Sequence, residues 1–174
     1  VYTLEDRNKL ERELRALEAI GAPAELVEKL PLPFPTAGAV RLREQAQFHP
    51  LKLAAGIAQG LHIREHTAAR AFEGKTVVTD RGVIRAENVI AATHFPLNNK
   101  HGAYFLKLYQ HRSYVLALEN GPDLDGMYVD ASGTGLSFRN YGGFLLLGGG
   151  AHRTGHPGGG WAELEAFAHA HYPD

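Results

Sequence analysis

Apolar residues at the start of the chain recur at a helical spacing. Three leucines fall at positions i, i+4 and i+7 and so form one stripe: Leu10, Leu14 and Leu17. Thr3 precedes the stripe as a candidate N-cap, with Asp6 three residues later as an approximate capping box, and Gly21 follows it. The pattern predicts a first helix that ends at Gly21.

The next segments are punctuated by proline. Pro23 in a first turn predicts a short helix to Lys29, which the PLPFP sequence at 31–35 ends. Residues 37–42 have the composition of a strand. Pro50 opens a further predicted helix that runs to Gln59.

Between Leu61 and Thr93 the apolar runs become short and are separated by turn residues. Glu73-Gly74 and Asp80-Arg81-Gly82 divide three predicted strands of an antiparallel meander. These strands are Ala68–Phe72, Thr76–Thr79 and Val83–Arg85. The following run, Asn88–Ala92, is apolar without alternation, which is typical of a strand buried on both faces.

The last part of the chain is rich in glycine and in short strands. Of the 20 glycines, 13 lie between Gly121 and Gly160, interleaved with apolar and aromatic residues. Strands are predicted at 113–119, 127–130, 136–139 and 144–147, and a closing helix at 161–171. The fold class is therefore mixed α/β, in the α+β sense, with a predominantly antiparallel second half.

Composition narrows the range of functions. A length of 174 residues suits one domain or two small lobes. A formal charge of -1 provides no positive field for nucleic acid, and no apolar run reaches the roughly 18 residues of a membrane span. Because there is no cysteine, disulfides, thiolate metal sites and cysteine nucleophiles are excluded within these residues.

Ten histidines suggest a metal site, but their spacing does not support one. His62 and His66 lie at the start of the region from Leu61 that is predicted to be extended, where four residues span about 13 Å. His152 and His156 lie in a Gly/Pro-rich stretch without an acidic third ligand. We therefore expect surface histidines and no metal.

Neither a phosphate-binding loop nor a hydrolase motif is present. The glycine run at 148–150 follows an apolar strand, but no helix is predicted until about Trp161, and Gly133-Thr-Gly135 lacks a third glycine. No G-x-G-x-x-G, no G-x-x-x-x-G-K and no nucleophile elbow occurs in the sequence. The glycines are better interpreted as sites of close backbone packing.

Two arginines remain as candidates for substrate recognition. Arg139 and Arg153 each end an apolar strand, beside aromatic residues or glycines. A planar guanidinium in that position can bind a carboxylate with two hydrogen bonds. The alternative interpretation is a structural arginine that holds loop carbonyls or a nearby acid.

The order of several motifs resembles one family. QAQFHPLKL at 45–53 is followed by IREHT, by V-x-T-D-R-G-x-I and by ENVIAATHFP; RSYVLALE, GMYVD, SFRNY and LLLGGGAHRTG come later. This order is similar to that of FAD-dependent oxidoreductases of the D-amino-acid oxidase and glycine oxidase family. The later motifs resemble a bacterial branch whose members often carry a Rieske-type iron–sulfur module. The resemblance runs from YTLE at Tyr2 to the last helix.

The resemblance implies an interleaved domain organisation. Residues 49–97 would form part of an FAD domain, and residues 1–48 and 98–174 would form substrate-domain helices and an antiparallel sheet. Backbone near Ala69 would meet the adenine end of FAD, while three residues would lie close to the flavin. These are Ala92, Thr93 and His94.

The family's pyrophosphate-binding unit and closing segment are not found between Val1 and Asp174. Since the chain also begins with valine, we expect an interior fragment of a longer cytoplasmic bacterial protein. By itself it is expected to be inactive and not to retain FAD.

The function expected of the parent protein is FAD-dependent oxidation of an amine or amino-acid-like substrate. Four residues are the substrate-side candidates: Tyr114, Arg139, His152 and Arg153. The fragment is expected to self-associate through surfaces that it leaves exposed. The alternative is a non-catalytic ligand-binding or interaction module.

Overall fold

The computed structural model describes residues 1–95, 102–132 and 135–173. Pro96 of the ENVIAATHFP motif and Gly133 lie outside these ranges. Within them the chain forms ten strands in three antiparallel sheets and four helices, which confirms the mixed α/β class. The chain divides into two compact units, one of residues 1–45 and 109–174 (unit 1) and one of residues 46–108 (unit 2).

The first sheet of unit 1 pairs the amino-terminal residues with later strands. Strand β1 is Tyr2–Thr3, helix α1 is Arg7–Ala19, and strands β2 and β3 are Ala24–Val27 and Gly38–Leu42. The sheet order is β1-β3-β2.

The cap of the first helix lies three residues later than the sequence predicts. Asp6 is the N-cap, and its carboxylate accepts a hydrogen bond from the Lys9 amide at 3.0 Å. The Thr3 hydroxyl instead accepts from the Asp6 amide at 3.3 Å, so it supports the residue that caps the helix.

The prediction of a helix at Pro23–Lys29 is wrong, because this segment contains strand β2. Its backbone pairs antiparallel with β3, from Ala24 opposite Leu42 to Val27 opposite Ala39. Glu25 also forms ion pairs with two arginines of the neighbouring segment, Arg41 and Arg43. Pairing with a neighbour therefore decides the conformation, which local propensity alone does not.

Unit 2 is built on the predicted meander. Helix α2 is Pro50–Ile57, and strands β4, β5 and β6 are Ala69–Glu73, Thr76–Thr79 and Gly82–Arg85, paired in the order β4-β5-β6. A four-residue helix α3 follows at Tyr104–Lys107. None of the described residues of unit 2 is buried.

The predicted buried strand at Asn88–Ala92 is not formed. These residues have no strand conformation, and Ile90 is 87% exposed. A strand is stabilised by hydrogen bonds to its neighbours, and no strand of the described chain pairs with this segment.

The second sheet of unit 1 contains the glycine-rich half of the chain. Its strands are β7 (His111–Leu118), β8 (Met127–Val129), β9 (Ser137–Tyr141) and β10 (Phe144–Arg153), in the order β7-β10-β9-β8. Helix α4, Trp161–His171, packs on β7 and β10. Strand β10 is longer than predicted because Gly148, Gly149 and Gly150 continue it.

The core of unit 1 lies between this sheet and helix α4. Its largest side chains are almost completely buried: Tyr2, Phe138, Leu145, Leu147 and Leu164. The PLPFP segment also contributes, because the Phe34 ring lies 5.6–6.0 Å from the rings of Tyr2, Phe138 and Phe167. Burial raises the pKa of Tyr2, whose hydroxyl donates to the Leu136 carbonyl at 3.0 Å.

No helix in the described ranges is long and apolar enough to cross a lipid bilayer.

Candidate functional site

The four-stranded sheet has one face packed on the core and one open face. Along β7, Tyr114, Leu116 and Leu118 pack on the core, so alternation turns the residues between them to the opposite side. The register across the sheet places several further side chains on this open face, among them Val115, Met127, Val129, Ser137, Arg139 and Leu146. Val115, Met127 and Val129 are 57%, 42% and 52% exposed.

A bulge in β10 changes which side chains reach the open face. Gly149 pairs with Tyr114, whereas His152 pairs with Arg112, so β10 carries one extra residue between the two pairs. Gly150 lies in this interval with φ +62°, a conformation that glycine adopts without strain. The extra residue reverses the alternation of the positions after it.

The bulge brings two predicted site residues, Tyr114 and His152, together on the core side. Their rings are stacked, with centres 5.8 Å apart and planes inclined by 16°. The Tyr114 and Trp161 ring centres are 5.0 Å apart in an edge-to-face arrangement. The His152 Nδ1 atom lies 3.2 Å from the Gly150 carbonyl oxygen. This aromatic cluster lies beneath the sheet and not on its open face.

The same bulge places Arg153 on the side of the open face. Arg153 pairs with His111, which lies on the same side of β7 as Val115. Its guanidinium carbon lies 4.7 Å from the centre of the Tyr109 ring, and the Tyr109 and His111 rings are 5.2 Å apart. No carboxylate of the described chain pairs with Arg153.

Arg139 shares the open side but lies far from Arg153. It pairs with Leu146 of β10, seven residues before Arg153. At about 3.3 Å per residue the two positions are roughly 20 Å apart along the strand. One small substrate carboxylate therefore cannot contact both guanidinium groups, and the structure separates the four predicted residues into three places.

Tyr109 and His111 are not among the site residues predicted from the sequence. The alternation of ring side chains in Tyr109-Gln-His111 was the available signal, because residues i and i+2 of a strand lie on one face. Around them, neither 103–118 nor 144–162 contains an aspartate or glutamate. This end of the sheet is therefore suited to an anionic group.

The residues predicted to contact FAD, at its adenine end or near the flavin, lie in unit 2. Ala69 is an exposed residue of β4, and Ala92 and Thr93 are exposed residues outside any strand. The Thr93 hydroxyl donates to the Phe95 carbonyl at 2.8 Å, and His94 between them has a φ of +61°. Thr93 and His94 therefore belong to a tight turn.

These residues fit only part of an FAD site. The methyl side chains of Ala69 and Ala92 are exposed and leave room for a cofactor lying against the main chain. The sequence contains no G-x-G-x-x-G motif between a strand and a helix, which is the loop that would hold a pyrophosphate. The motif that would bind the FAD pyrophosphate is therefore not found in residues 1–174, and the adenine-side and flavin-side contacts stay a prediction.

Among the described residues, no group of three or more histidine and acidic side chains is arranged to hold a metal ion. The segment of His62 and His66 is not a strand, and His66 has a φ of +52°.

Comparison with known proteins identifies the class to which this fold belongs. The family model described as FAD dependent oxidoreductase matches residues 1–174. The chain therefore belongs to the family of FAD-dependent oxidoreductases, which confirms the resemblance inferred from the order of motifs.

The chain is similar to a bacterial protein whose name describes it as an iron–sulfur protein. The chain is 32% identical over 171 residues to the "Putative Rieske 2Fe-2S iron-sulfur protein YhfW" of Bacillus subtilis (strain 168). The match covers 89% of this chain and 34% of the relative, so the chain spans about a third of that protein's length. This finding agrees with the expected Rieske-type branch. No solved structure gave a significant match.

Proposed function

We propose that this chain supplies the substrate-facing sheet of an enzyme that oxidises the C–N bond of an amine or amino-acid-like substrate. Bound FAD would supply the hydride acceptor for the amine carbon, and Ala69, Ala92, Thr93 and His94 would contact it. The residues of this chain would bind and orient the substrate against the open face of the four-stranded sheet.

The observation that carries the proposal is the position of Arg153. It projects on the open side, has no carboxylate partner among the described residues and lies over the Tyr109 ring. A guanidinium held by its face on an aromatic ring keeps its N–H edge available for a carboxylate. Arg153 is therefore the preferred carboxylate ligand, with Arg139 as a second position on the open face.

The core-side residues take a different role in this proposal. Tyr114 and His152 would support the bulge that positions Arg153, because both pack where β10 departs from regular pairing. Ala69, Ala92, Thr93 and His94 remain the proposed cofactor contacts. The isolated chain is expected to be inactive and to lose FAD, since it has no pyrophosphate-binding motif.

The experiment compares substrate oxidation in a longer protein containing this chain. Arg153→Ala should raise KM for an amino acid by roughly tenfold to a hundredfold, because a charged hydrogen-bonded pair contributes about 1.5–3 kcal/mol. Arg112→Ala removes another exposed arginine, next to His111 in the chain, and should change KM less than twofold.

Two further measurements distinguish the alternatives. The decarboxylated amine should show the same KM with and without Arg153. If the longer protein shows no amine-dependent flavin reduction, the oxidase proposal fails, and a ligand-binding module becomes the better description. FAD titration of the 174-residue chain, followed by flavin fluorescence, tests whether cofactor affinity is lost.

We also propose a cytoplasmic location and self-association of the isolated chain. Apolar side chains are exposed on α2, and the residues after it continue the apolar surface: Leu51, Ile57, Leu61 and Ile63. Contiguous apolar surface favours association. Sedimentation velocity over a range of concentrations should show a rising average mass, and a constant monomer mass would exclude it.

A further inference from the structure

Unit 2 contains a cleft that the proposed oxidation does not use. It lies between the segment 63–67 and the turn joining β5 to β6, with a volume of about 480 Å³. Ile63, Val83 and Ile84 supply an apolar wall, and Arg64 and Arg81 line the same cleft. A binding site for a drug-sized molecule commonly has a volume of this order.

The two arginines of the cleft carry uncompensated charge. Neither the Arg64 nor the Arg81 guanidinium has an ion pair or hydrogen-bond partner in the described chain, and residues 96–101 contain no acidic side chain. The adjacent Asp80 is already engaged, since its carboxylate accepts from the Ala68 amide at 3.0 Å and lies 3.8 Å from Arg70. Glu65 is the one acidic side chain of the lining, so the cleft keeps a net positive charge.

Both walls of the cleft are held by local hydrogen bonds. The Thr79 hydroxyl donates to the Gly82 carbonyl at 2.7 Å and accepts from the Arg81 amide at 3.1 Å. On the opposite wall the Thr67 hydroxyl donates to the Glu65 carbonyl at 3.0 Å. These hydrogen bonds restrict the backbone that carries each arginine, which lowers the entropic cost of binding.

We propose that this cleft binds a small phosphorylated molecule with an apolar or aromatic portion. Arg64 and Arg81 would bind the phosphate oxygens, as guanidinium groups do with two parallel hydrogen bonds. The apolar portion would lie on Ile63, Val83 and Ile84. The proposal does not depend on oxidation of an amine.

The test uses the 174-residue chain and phenyl phosphate, which combines a ring with a phosphate. Calorimetric or ligand-observed NMR titration should give a Kd on the order of 1 mM or tighter. Phenol and inorganic phosphate should each bind at least about tenfold more weakly, because each lacks one half of the recognised chemistry.

Variants locate the binding. Arg81→Ala and Arg64→Ala should each weaken phenyl phosphate binding at least about fivefold, whereas Arg85→Ala, on the same hairpin but outside the cleft, should change it less than twofold. Equal losses in all three variants would indicate non-specific charge attraction and overturn the proposal. Circular dichroism confirms that each variant folds.

Two further binding experiments distinguish a small phosphorylated molecule from FAD and from a phospholipid headgroup. If FAD displaces phenyl phosphate and loses affinity in the Arg81 variant, the cleft is part of the cofactor site and the separate site is excluded. If anionic phospholipid vesicles bind but phenyl phosphate does not, the surface recognises headgroups and the small-molecule proposal is wrong. Binding of phenyl phosphate without competition by FAD supports it.

Discussion

Gly159 shows how a single residue holds the loop against the sheet. A Cβ atom placed on Gly159 would lie 1.9 Å from the carbonyl oxygen of Gly150, and its φ is +55°. The loop before helix α4 therefore approaches the β10 bulge more closely than any other residue type permits. The glycine-rich composition predicted such close packing, but it did not indicate which glycines are in contact.

Replacement of Gly159 by alanine should be more destabilising than replacement of a neighbouring loop glycine. Gly155 has a φ of +85°, and no heavy atom lies within 4 Å of the place that an alanine methyl group would take, so Gly155→Ala costs only the backbone term of about 1 kcal/mol. Gly159→Ala must also move the backbone, and we expect a loss of roughly 3 kcal/mol. Urea unfolding followed by the fluorescence of Trp161, the one tryptophan of the chain, measures both. Equal losses of unfolding free energy in the two variants would show that the loop before α4 can move away from Gly150 without strain, contrary to this prediction.

Residue type indicated which side chains of β10 could bind a substrate. It did not indicate which face of the four-stranded sheet each of them occupies. With strict alternation from Gly148, His152 would lie on the open face and Arg153 on the core side. The bulge at Gly150 reverses this arrangement, and a single glycine within a glycine run gives no local signal of a bulge. Arg153 was selected from its chemistry, whereas its contact with Tyr109 required the three-dimensional register.

At the scale of elements, helix α4 closes the core of unit 1. Leu164 is completely buried, and its Cδ2 atom lies 2.9 Å from the position that a Cβ on Gly149 would occupy. The helix axis can approach β10 this closely only because the strand carries glycine there.

Shortening the Leu164 side chain should therefore reduce the free energy of unfolding. Leu164→Ala is expected to reduce the free energy of unfolding by about 3 kcal/mol, within the range for buried leucines. Glu165→Ala changes the next, exposed residue of the same helix and should stay within about 0.5 kcal/mol. The two variants are compared by urea unfolding at the Trp161 signal. A small effect of Leu164→Ala would mean that the helix repacks on the sheet.

The elements that the sequence predicted correctly are those with their own local pattern. Helix α1 follows a leucine stripe, the meander follows its turn residues, and the strands of the second sheet follow apolar runs. Two of the wrong predictions depend on partners distant in sequence. Strand β2 exists because β3 lies beside it, and residues 88–92 have the apolar character of a strand but no pairing strand in the described chain.

At the scale of the whole molecule, the two units differ in how much they bury. Unit 1 has a continuous core from Tyr2 to Leu164. Unit 2 has no buried residue in its described part, although α2 and the meander carry many apolar side chains. Hydrophobic burial is the main source of folding free energy, so unit 2 is expected to open far more readily than unit 1.

Hydrogen exchange provides a direct test of this difference. Amides of β10 between Leu145 and Gly149 lie in a central strand of a packed sheet and should remain protected for hours. Amides of α2 should exchange within seconds to minutes, because an eight-residue helix without buried contacts is marginal in water. Mass spectrometry of peptic peptides resolves the two regions in one experiment.

Hydrogen exchange of a longer protein that contains this chain tests why α2 is less protected than β10. The chain spans about a third of its relative, and the apolar faces of α2 and residues 88–92 are suited to burial by further polypeptide. We expect α2 and residues 88–92 to gain protection there, while β10 changes little because its core is already formed within unit 1. If α2 in the isolated chain is as protected as β10, association between copies must cover it, and dilution should then restore fast exchange.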